Sequence, residues 1–579
     1  MAKKVAAKKG TTKKSAAKKR FWTKSYGRKI PDVDPKLFEN NLLELFKKSL
    51  TEKRDKPAFI FMDVPVTFGE LDVYSNRFAN LLLTNGFKKG DVVGICLPNI
   101  PEFPIAWLGT MKAGCVVSGV SPLLSITEME HQIKDSEMKG LVTLDIIFAE
   151  RVKKIAQRLP DLDLIVATNV GNFLPKIKRV LGKLLKKLPS GEVTPVEGKK
   201  VLEFPDILKP GAYSDAAPKV KISPDDIALI MYTGGTTGTP KGALLSHRNN
   251  VAEILVSNKY MEWDKEVGPV LSAFPMFHIA GMAFNEFSVY NGWTQLLLPD
   301  PRNTTFLCKL LEKYRPHLIA NVPSLYYLLL SDPKFKTLDH SELAQCISAA
   351  APFPVDSQKE LESIIGKEKL IELYGMTETA AITVMNPIKG KKKLGTVGLP
   401  MINTDIKLVD PTTGKEVKLG EPGEILIKCP HLMVGYFKNP KETKNAIDKD
   451  GYMHTGDVMV QDEDGYLTIV DRTKDMIIVS GFKVFSKKVE DIMATHPAVE
   501  IMATVGVPNP DRPGSEMVRA YVTLSPSLDP ETDKEALKKE LIAYAKEKLA
   551  PYEVPKEIEI LPEMPLTSVG KLDKKVLRK

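Results

Sequence analysis

The sequence predicts an α/β fold in layers. It should comprise a large multi-subdomain N-terminal part of layered sheets and helices, followed by a small α+β C-terminal part. Three observations predict this. Helical and strand patterns alternate through most of the chain, short strands take over near Glu424, and a compact mix of both follows Arg472. Strands that alternate with helices call for a parallel sheet covered on its faces. The 579 residues exceed one simple core and suggest about three or four domain-sized units.

The first 29 residues stand apart. They hold twelve Lys and Arg and no acid, and removing those twelve from the net charge of +10 leaves the rest of the chain at −2. Their Ala-Lys-Lys repeats can bury too little apolar surface to offset ordering entropy, so residues 1–29 are expected to be a disordered tail. Such a tail can attract the phosphates of anionic lipid or nucleic acid, or simply remain solvated. Nucleic acid is not the expected partner.

From residue 30 the pattern is globular. A helix is expected over 68–84, a strand over 92–97, a helix over 103–112 and a strand over 115–120. Further strands are expected at 227–231, 270–274 and 318–321, and a charged surface helix at 535–549. Residues 172–192 interrupt the alternation. Ile177, Val180, Leu181, Leu184, Leu185 and Leu188 recur in steps of three and four, which makes one helical face. Lys176, Lys178, Arg179, Lys183, Lys186 and Lys187 fill the rest of 176–188. A basic amphipathic helix suits an anionic membrane surface; the alternative is a helix docked on its own domain. The expected division is 1–29, 30–473 and 474–579.

Composition narrows the class. Hydrophobic residues at 43% and charged residues at 27% are ordinary for a globular protein. No apolar run approaches the roughly 20 residues of a membrane-spanning helix. The basic N-terminus is not followed by the apolar segment of a secretory signal. Cys96, Cys115, Cys308, Cys346 and Cys429 form no C-x-x-C pair, which excludes a sequence-local zinc or redox motif and fits a reducing cytosol. The expected location is the cytoplasm, with the inner membrane face as a candidate contact. The oligomeric state stays open, a homodimer included.

The strongest chemical signal is Tyr232-Thr-Gly-Gly-Thr-Thr-Gly-Thr-Pro-Lys-Gly242, directly after an apolar strand. Gly234, Gly235 and Gly238 let backbone N–H groups approach an anion; Thr233, Thr236 and Thr237 add hydroxyl donors, and Lys241 adds charge. This is a phosphate cradle. It is not a Walker A loop, because Pro240 precedes Lys241 and Gly242 follows it.

The loop resembles that of the adenylate-forming superfamily, which includes acyl-CoA synthetases, peptide-synthetase adenylation domains and luciferases. Six further segments resemble that family's motifs in the same order. They are Pro275-Met-Phe-His278, Ser348-Ala-Ala-Ala-Pro352, Tyr374-Gly-Met-Thr-Glu378, Tyr452-Met-His-Thr-Gly-Asp457, Asp471-Arg-Thr-Lys474 and Pro565-Leu-Thr-Ser-Val-Gly-Lys571. Ala349 stands where the family usually has glycine, and Ser486 and Lys488 depart from its common Pro and Glu. The match spans roughly residues 35–579.

The resemblance implies ATP, Mg²⁺ and coenzyme A as co-substrates and cofactor. It implies that Lys571 joins the carboxylate to the α-phosphate, with His278 beside the substrate carboxylate. Glu378 and Thr233 would hold the metal, and Ala350, Tyr374, Thr377, Asp457 and Arg472 would bind the nucleotide. Lys474 would be the hinge between two half-reactions, and Gly481 would line the coenzyme route. Residues 30–473 would then be the adenylation domain and 474–579 the mobile one.

His278 stands where amino-acid-activating domains place an Asp for the substrate amine, which argues against amino acids. The double glycine Gly234-Gly235, the Leu373-Tyr-Gly-Met-Thr-Glu378 context and the basic helix at 176–188 resemble those of bacterial medium- and long-chain fatty acyl-CoA synthetases. An aryl-acid CoA ligase, or an enzyme loading a carrier protein, is the alternative. A non-enzymatic binding protein on a decayed scaffold is a third reading, opposed by intact Lys571, Glu378 and Asp457.

Overall fold

The computed structural model describes residues 20–185, 188–233, 240–263, 267–351, 353–480, 482–510, 512, 515–529, 531–565 and 572–578. The N-terminal part is built on two large sheets. In the eight-stranded one, Leu164–Thr168, Met138–Leu144, Val92–Cys96, Val116–Gly119 and Ile227–Thr233 run parallel. Ile227–Thr233 then pairs antiparallel with Lys241–Ser246, so the phosphate-loop segment joins two strands of one hairpin.

The covering helices follow from local sequence. Helix Phe68–Thr84 opens with a capping box: Thr67 Oγ1 accepts from Glu70 N at 3.1 Å, and Glu70 Oε2 accepts from Thr67 N at 2.8 Å. Its Phe68, Leu71, Phe78 and Leu81 are buried, and it packs on helix Glu102–Lys112.

In the nine-stranded sheet, Val270–Ser272, Leu318–Asn321, Gln345–Ser348 and Leu370–Tyr374 are parallel. Segments 275–278, 348–351 and 374–378 lie at or just beyond the carboxyl ends of three of these strands. Ligands of open α/β sheets bind at that end, where the backbone leaves the sheet. A four-stranded antiparallel sheet follows: Asp405–Val409, Gly423–Lys428, Met453–Gln461 and Leu467–Arg472.

Beyond residue 474 come a hairpin of Ile477–Val479 and Phe482–Val484, and a sheet of Val499–Pro508, Glu516–Leu524 and Glu557–Ile560. Among the described residues, helices Ser486–Met493, Lys534–Lys548 and Lys574–Leu577 complete this part. Its apolar clusters begin at Ile477, whereas those of the N-terminal part end at Ile469. Among the described residues, no helix is long and apolar enough to cross a membrane.

Two expectations are corrected. The tail does not extend to residue 29, because 20–29 belong to the folded body. A 3-10 helix, Phe21–Tyr26, buries Trp22 and Tyr26, and the Tyr26 hydroxyl donates to Pro400 O at 2.6 Å. Arg20 forms ion pairs with Asp32 and Asp405. Charge counting passed over the aromatics Phe21, Trp22 and Tyr26, which carry the apolar surface that repays ordering. Residues 1–19 lie outside the described residues.

The basic helix is also shorter than expected, spanning Lys176–Leu184. Leu188 N bonds back to Gly182 O at 3.2 Å, so Leu188 leaves the predicted stripe. The remaining stripe is not docked: Ile177 is 83% exposed, Val180 66%, Leu181 51%, Leu184 77% and Leu185 54%.

Candidate active site

A cavity of about 1120 Å³ lies at the carboxyl ends of the nine-stranded sheet, between the two parts of the chain. Thr233, Lys241, His278, Ala350, Tyr374, Thr377, Glu378, Asp457, Arg472 and Lys474 all line it. These candidates span more than 240 residues of sequence and converge on one space. Gly234, Gly235, Thr236, Thr237, Gly238, Gly481 and Lys571 lie outside the described residues. Leu572 and Lys574, just after Lys571, line the same cavity.

Strand pairing positions the first cluster. Asp457 and Arg472 are cross-strand partners, and Arg472 Nε donates to Asp457 Oδ1 at 2.9 Å. The Tyr374 hydroxyl donates to Asp457 Oδ2 at 2.6 Å. The carboxylate is therefore held from two sides before any ligand hydroxyl reaches it. Burial, reinforced by the Arg472 charge, pulls the Lys474 ammonium down to about 8.

The second cluster centres on Glu378, which is 8% exposed. Its Oε1 accepts from the Tyr436 hydroxyl at 2.7 Å. Burial raises its pKa, opposed by the Tyr436 hydrogen bond and the Lys241 charge. Lys241 Nζ lies 2.6 Å from Glu442 Oε2 and 4.7 Å from the Tyr436 ring centroid, a cation–π distance.

The backbone around the cavity is strained, as is common where ligands are gripped. Ala350, Ala380 and Ala381 have φ of 71°, 51° and 131°. Gly375 is required by space, since a Cβ there would lie 1.4 Å from Ala381 O. His278 caps helix Ile279–Asn291, with Nδ1 accepting from Ala280 N at 3.3 Å. In the neutral ring that assigns the proton to Nε2, which then serves as a donor.

Several lining residues were missed from the sequence. Ala280, Ala283, Phe284 and Phe287 recur at steps of three, one and three along helix Ile279–Asn291, and with Trp263 they form an apolar wall. Helical periodicity could have found the first four; nothing in the local sequence marks Trp263. Tyr436, Glu442 and Glu372 were also missed. Burial pushes Glu372 up to about 8, partly offset by a 2.6 Å hydrogen bond from Gln358 Nε2.

No group of three or more His, Cys, Asp or Glu among the described residues could cage a metal. Glu378 is one of the carboxylates lining the cavity, and Mg²⁺ is normally bound by one or two carboxylates plus substrate phosphates. The residues present therefore fit a metal delivered with a nucleotide.

A large layered α/β part, a small C-terminal part and a cavity between them define a nucleotide-binding enzyme of two parts. The family model of AMP-binding enzymes matches residues 46–437, and that of the AMP-binding enzyme C-terminal domain matches 488–571. The chain belongs to the AMP-binding enzyme family. A long-chain-fatty-acid–CoA ligase of Bacillus subtilis (strain 168) is 34% identical over 556 residues, covering 95% of this chain and 96% of that protein. The crystal structure of ATP-bound MatB from Rhodopseudomonas palustris is 26% identical, with a TM-score of 0.77, and the alignment covers 93% of this chain and 98% of that one. The anthranilate CoA ligase AuaEII, crystallised with anthranoyl-AMP, is 25% identical with a TM-score of 0.79, covering 94% and 98%.

Proposed function

We propose that this chain is an AMP-forming fatty acid–CoA ligase. It converts a fatty acid and ATP to acyl-adenylate and pyrophosphate, then transfers the acyl group to coenzyme A with release of AMP. The observation that carries this reading is the cavity itself, which joins a charged end at Lys241, Glu378 and Asp457 to the apolar wall of Phe284, Phe287 and Trp263. The long-chain ligase relative supports a fatty acid as the acid.

The roles follow from charge. A carboxylate attacking a phosphate brings two anions together, so positive charge and fixed dipoles must sit where they meet. Lys571 bridges the carboxylate and α-phosphate oxygens, and His278 donates from the carboxylate side. Glu378 and Thr233 would hold Mg²⁺, which would supply neutralisation of phosphate charge. Tyr374, Ala350 and Thr377 contact the nucleotide, and Asp457 with Arg472 takes the ribose hydroxyls. The loop from Thr233 to Gly238, together with Lys241, cradles the departing pyrophosphate. Residues 474–579 turn about Lys474 between the half-reactions, and Gly481 keeps the thiol route open.

Pyrophosphate exchange with a panel of acids tests the reading. Strong Mg²⁺-dependent exchange is expected with decanoate or palmitate. Absence of exchange with every acid overturns it, and exchange with benzoate alone makes this an aryl-acid enzyme.

The exposed stripe of helix Lys176–Leu184 supports peripheral contact with an anionic membrane, where a fatty acid partitions. Lys176 and Lys178 flank it in exposed positions, each worth about 1 kcal/mol near an anionic surface. Co-sedimentation with phosphatidylglycerol vesicles should fall about tenfold or more when Ile177, Leu181 and Leu184 become Glu. Deleting residues 1–19, which spares the folded segment 20–29, measures the tail separately. Binding that survives the triple substitution and vanishes with the deletion would assign the contact to the tail instead.

A further inference from the structure

Lys241 is the phosphate-loop lysine, yet its ammonium already bonds a carboxylate. Glu442 Oε2 lies 2.6 Å from Lys241 Nζ, and Glu442 Oε1 accepts from Asn445 Nδ2 at 3.1 Å. The carboxylate is anchored in the first turn of helix Pro440–Ala446, where Glu442 N donates to the capping Asn439 Oδ1 at 3.1 Å. On its other side Lys241 rests over the Tyr436 ring, and the hydroxyl of that ring donates to Glu378. One tyrosine thus ties the phosphate lysine to the metal carboxylate, while Glu442 holds the lysine from outside. The bond to Lys241 keeps the Glu442 carboxyl below its usual range.

We propose that Glu442 is a positioning residue that competes with polyphosphate for Lys241. The inference rests on the ATP-cleaving reading above and adds a partner to it. A phosphate that engages Lys241 must share the ammonium with Glu442 or displace it, and the two anions repel in either case. ATP and pyrophosphate therefore bind less tightly than the Lys241 charge alone would allow. As pyrophosphate leaves, Glu442 retakes the ammonium, and this return contact speeds release. AMP and acyl-adenylate carry no β- or γ-phosphate, so they are indifferent to Glu442.

Equilibrium binding of Mg·ATP, Mg·pyrophosphate and AMP to the full chain tests this with wild type, Glu442→Gln and Glu442→Asp. In Glu442→Gln, ATP and pyrophosphate should bind about three- to tenfold tighter, with AMP unchanged. Product inhibition by pyrophosphate should strengthen in parallel. Glu442→Asp keeps the charge and should stay within about twofold of wild type. Weaker ATP binding with a raised Mg²⁺ requirement would overturn the proposal and place Glu442 on the metal side. An equal shift for all three ligands would also overturn it, since that is what a general structural role produces. Unchanged ATP affinity in Glu442→Gln, on a wild type that binds normally, overturns this proposal alone. A wild-type chain that binds no ATP removes the functional reading as well.

Discussion

Replacing Lys571 with alanine is expected to lower acyl-adenylate formation by about 10²–10³-fold or more, the scale of losing one principal donor to developing negative charge. Thioester formation from supplied acyl-adenylate should stay within a few-fold of wild type. The asymmetry follows from the chemistry. In the first half-reaction two anions must be drawn together, and a bridging ammonium acts on both. In the second, a thiol attacks an adenylate whose acyl–phosphate bond already exists. Leu572 lines the cavity, and Lys574 Nζ is fixed by Glu490 Oε1 at 2.7 Å and Ser486 Oγ at 2.8 Å, so the chain just beyond Lys571 is anchored at the site. Pyrophosphate exchange reports the first half-reaction, and thioester release from synthetic acyl-adenylate reports the second. Equal loss of both would contradict a C-terminal part that presents different residues in turn.

Glu378→Gln is expected to cut kcat/KM for ATP by about 10²–10³-fold and to raise the Mg²⁺ requirement, because the hard anionic ligand proposed for the metal would be gone. The fold should not suffer. Burial raises the Glu378 pKa, so the native state holds this proton more tightly than the unfolded chain does. The contribution of Glu378 to stability therefore falls as pH rises from the ordinary carboxylate value of about 4.3 through the raised native value. Glutamine keeps an acceptor for the Tyr436 hydroxyl and lacks that titration. The variant should therefore match or exceed wild type in Tm at neutral pH, with a flatter pH dependence. Full activity with an unchanged Mg²⁺ requirement would remove Glu378 from the metal role. Lost activity together with a lower Tm would point to damage in folding instead.

The site was legible where residue type and local order carry the chemistry. Helix Phe68–Thr84 and strand Leu318–Asn321 were readable to the residue, because caps and periodicity are local signals. The ten described candidates were picked out because their segments resemble the family's motifs in order, and all ten line one cavity. The reading failed where a contact between distant segments decides. Residues 20–29 look like more of a basic tail until Trp22 and Tyr26 meet the sheets they pack on. Leu188 fits the helical stripe by spacing, but its backbone turns back to Gly182. Tyr436 and Glu442 carry no periodic or compositional mark, so nothing nearby in sequence singles them out.

By itself, then, the sequence determined the family's order of motifs, the α/β layering and the kinds of charge brought to the reaction, because these depend on residue type and short-range pattern. The tertiary structure alone decided which group each of those residues faces. Tyr374 meets Asp457 across 83 positions, and Lys241 meets Glu442 across 201. Pairings of that range are set by how sheets and loops close on one another, and local pattern contains no record of it. The same closure turns Lys241 from a lone cation of a glycine-rich segment into an ammonium shared between a carboxylate and an aromatic ring.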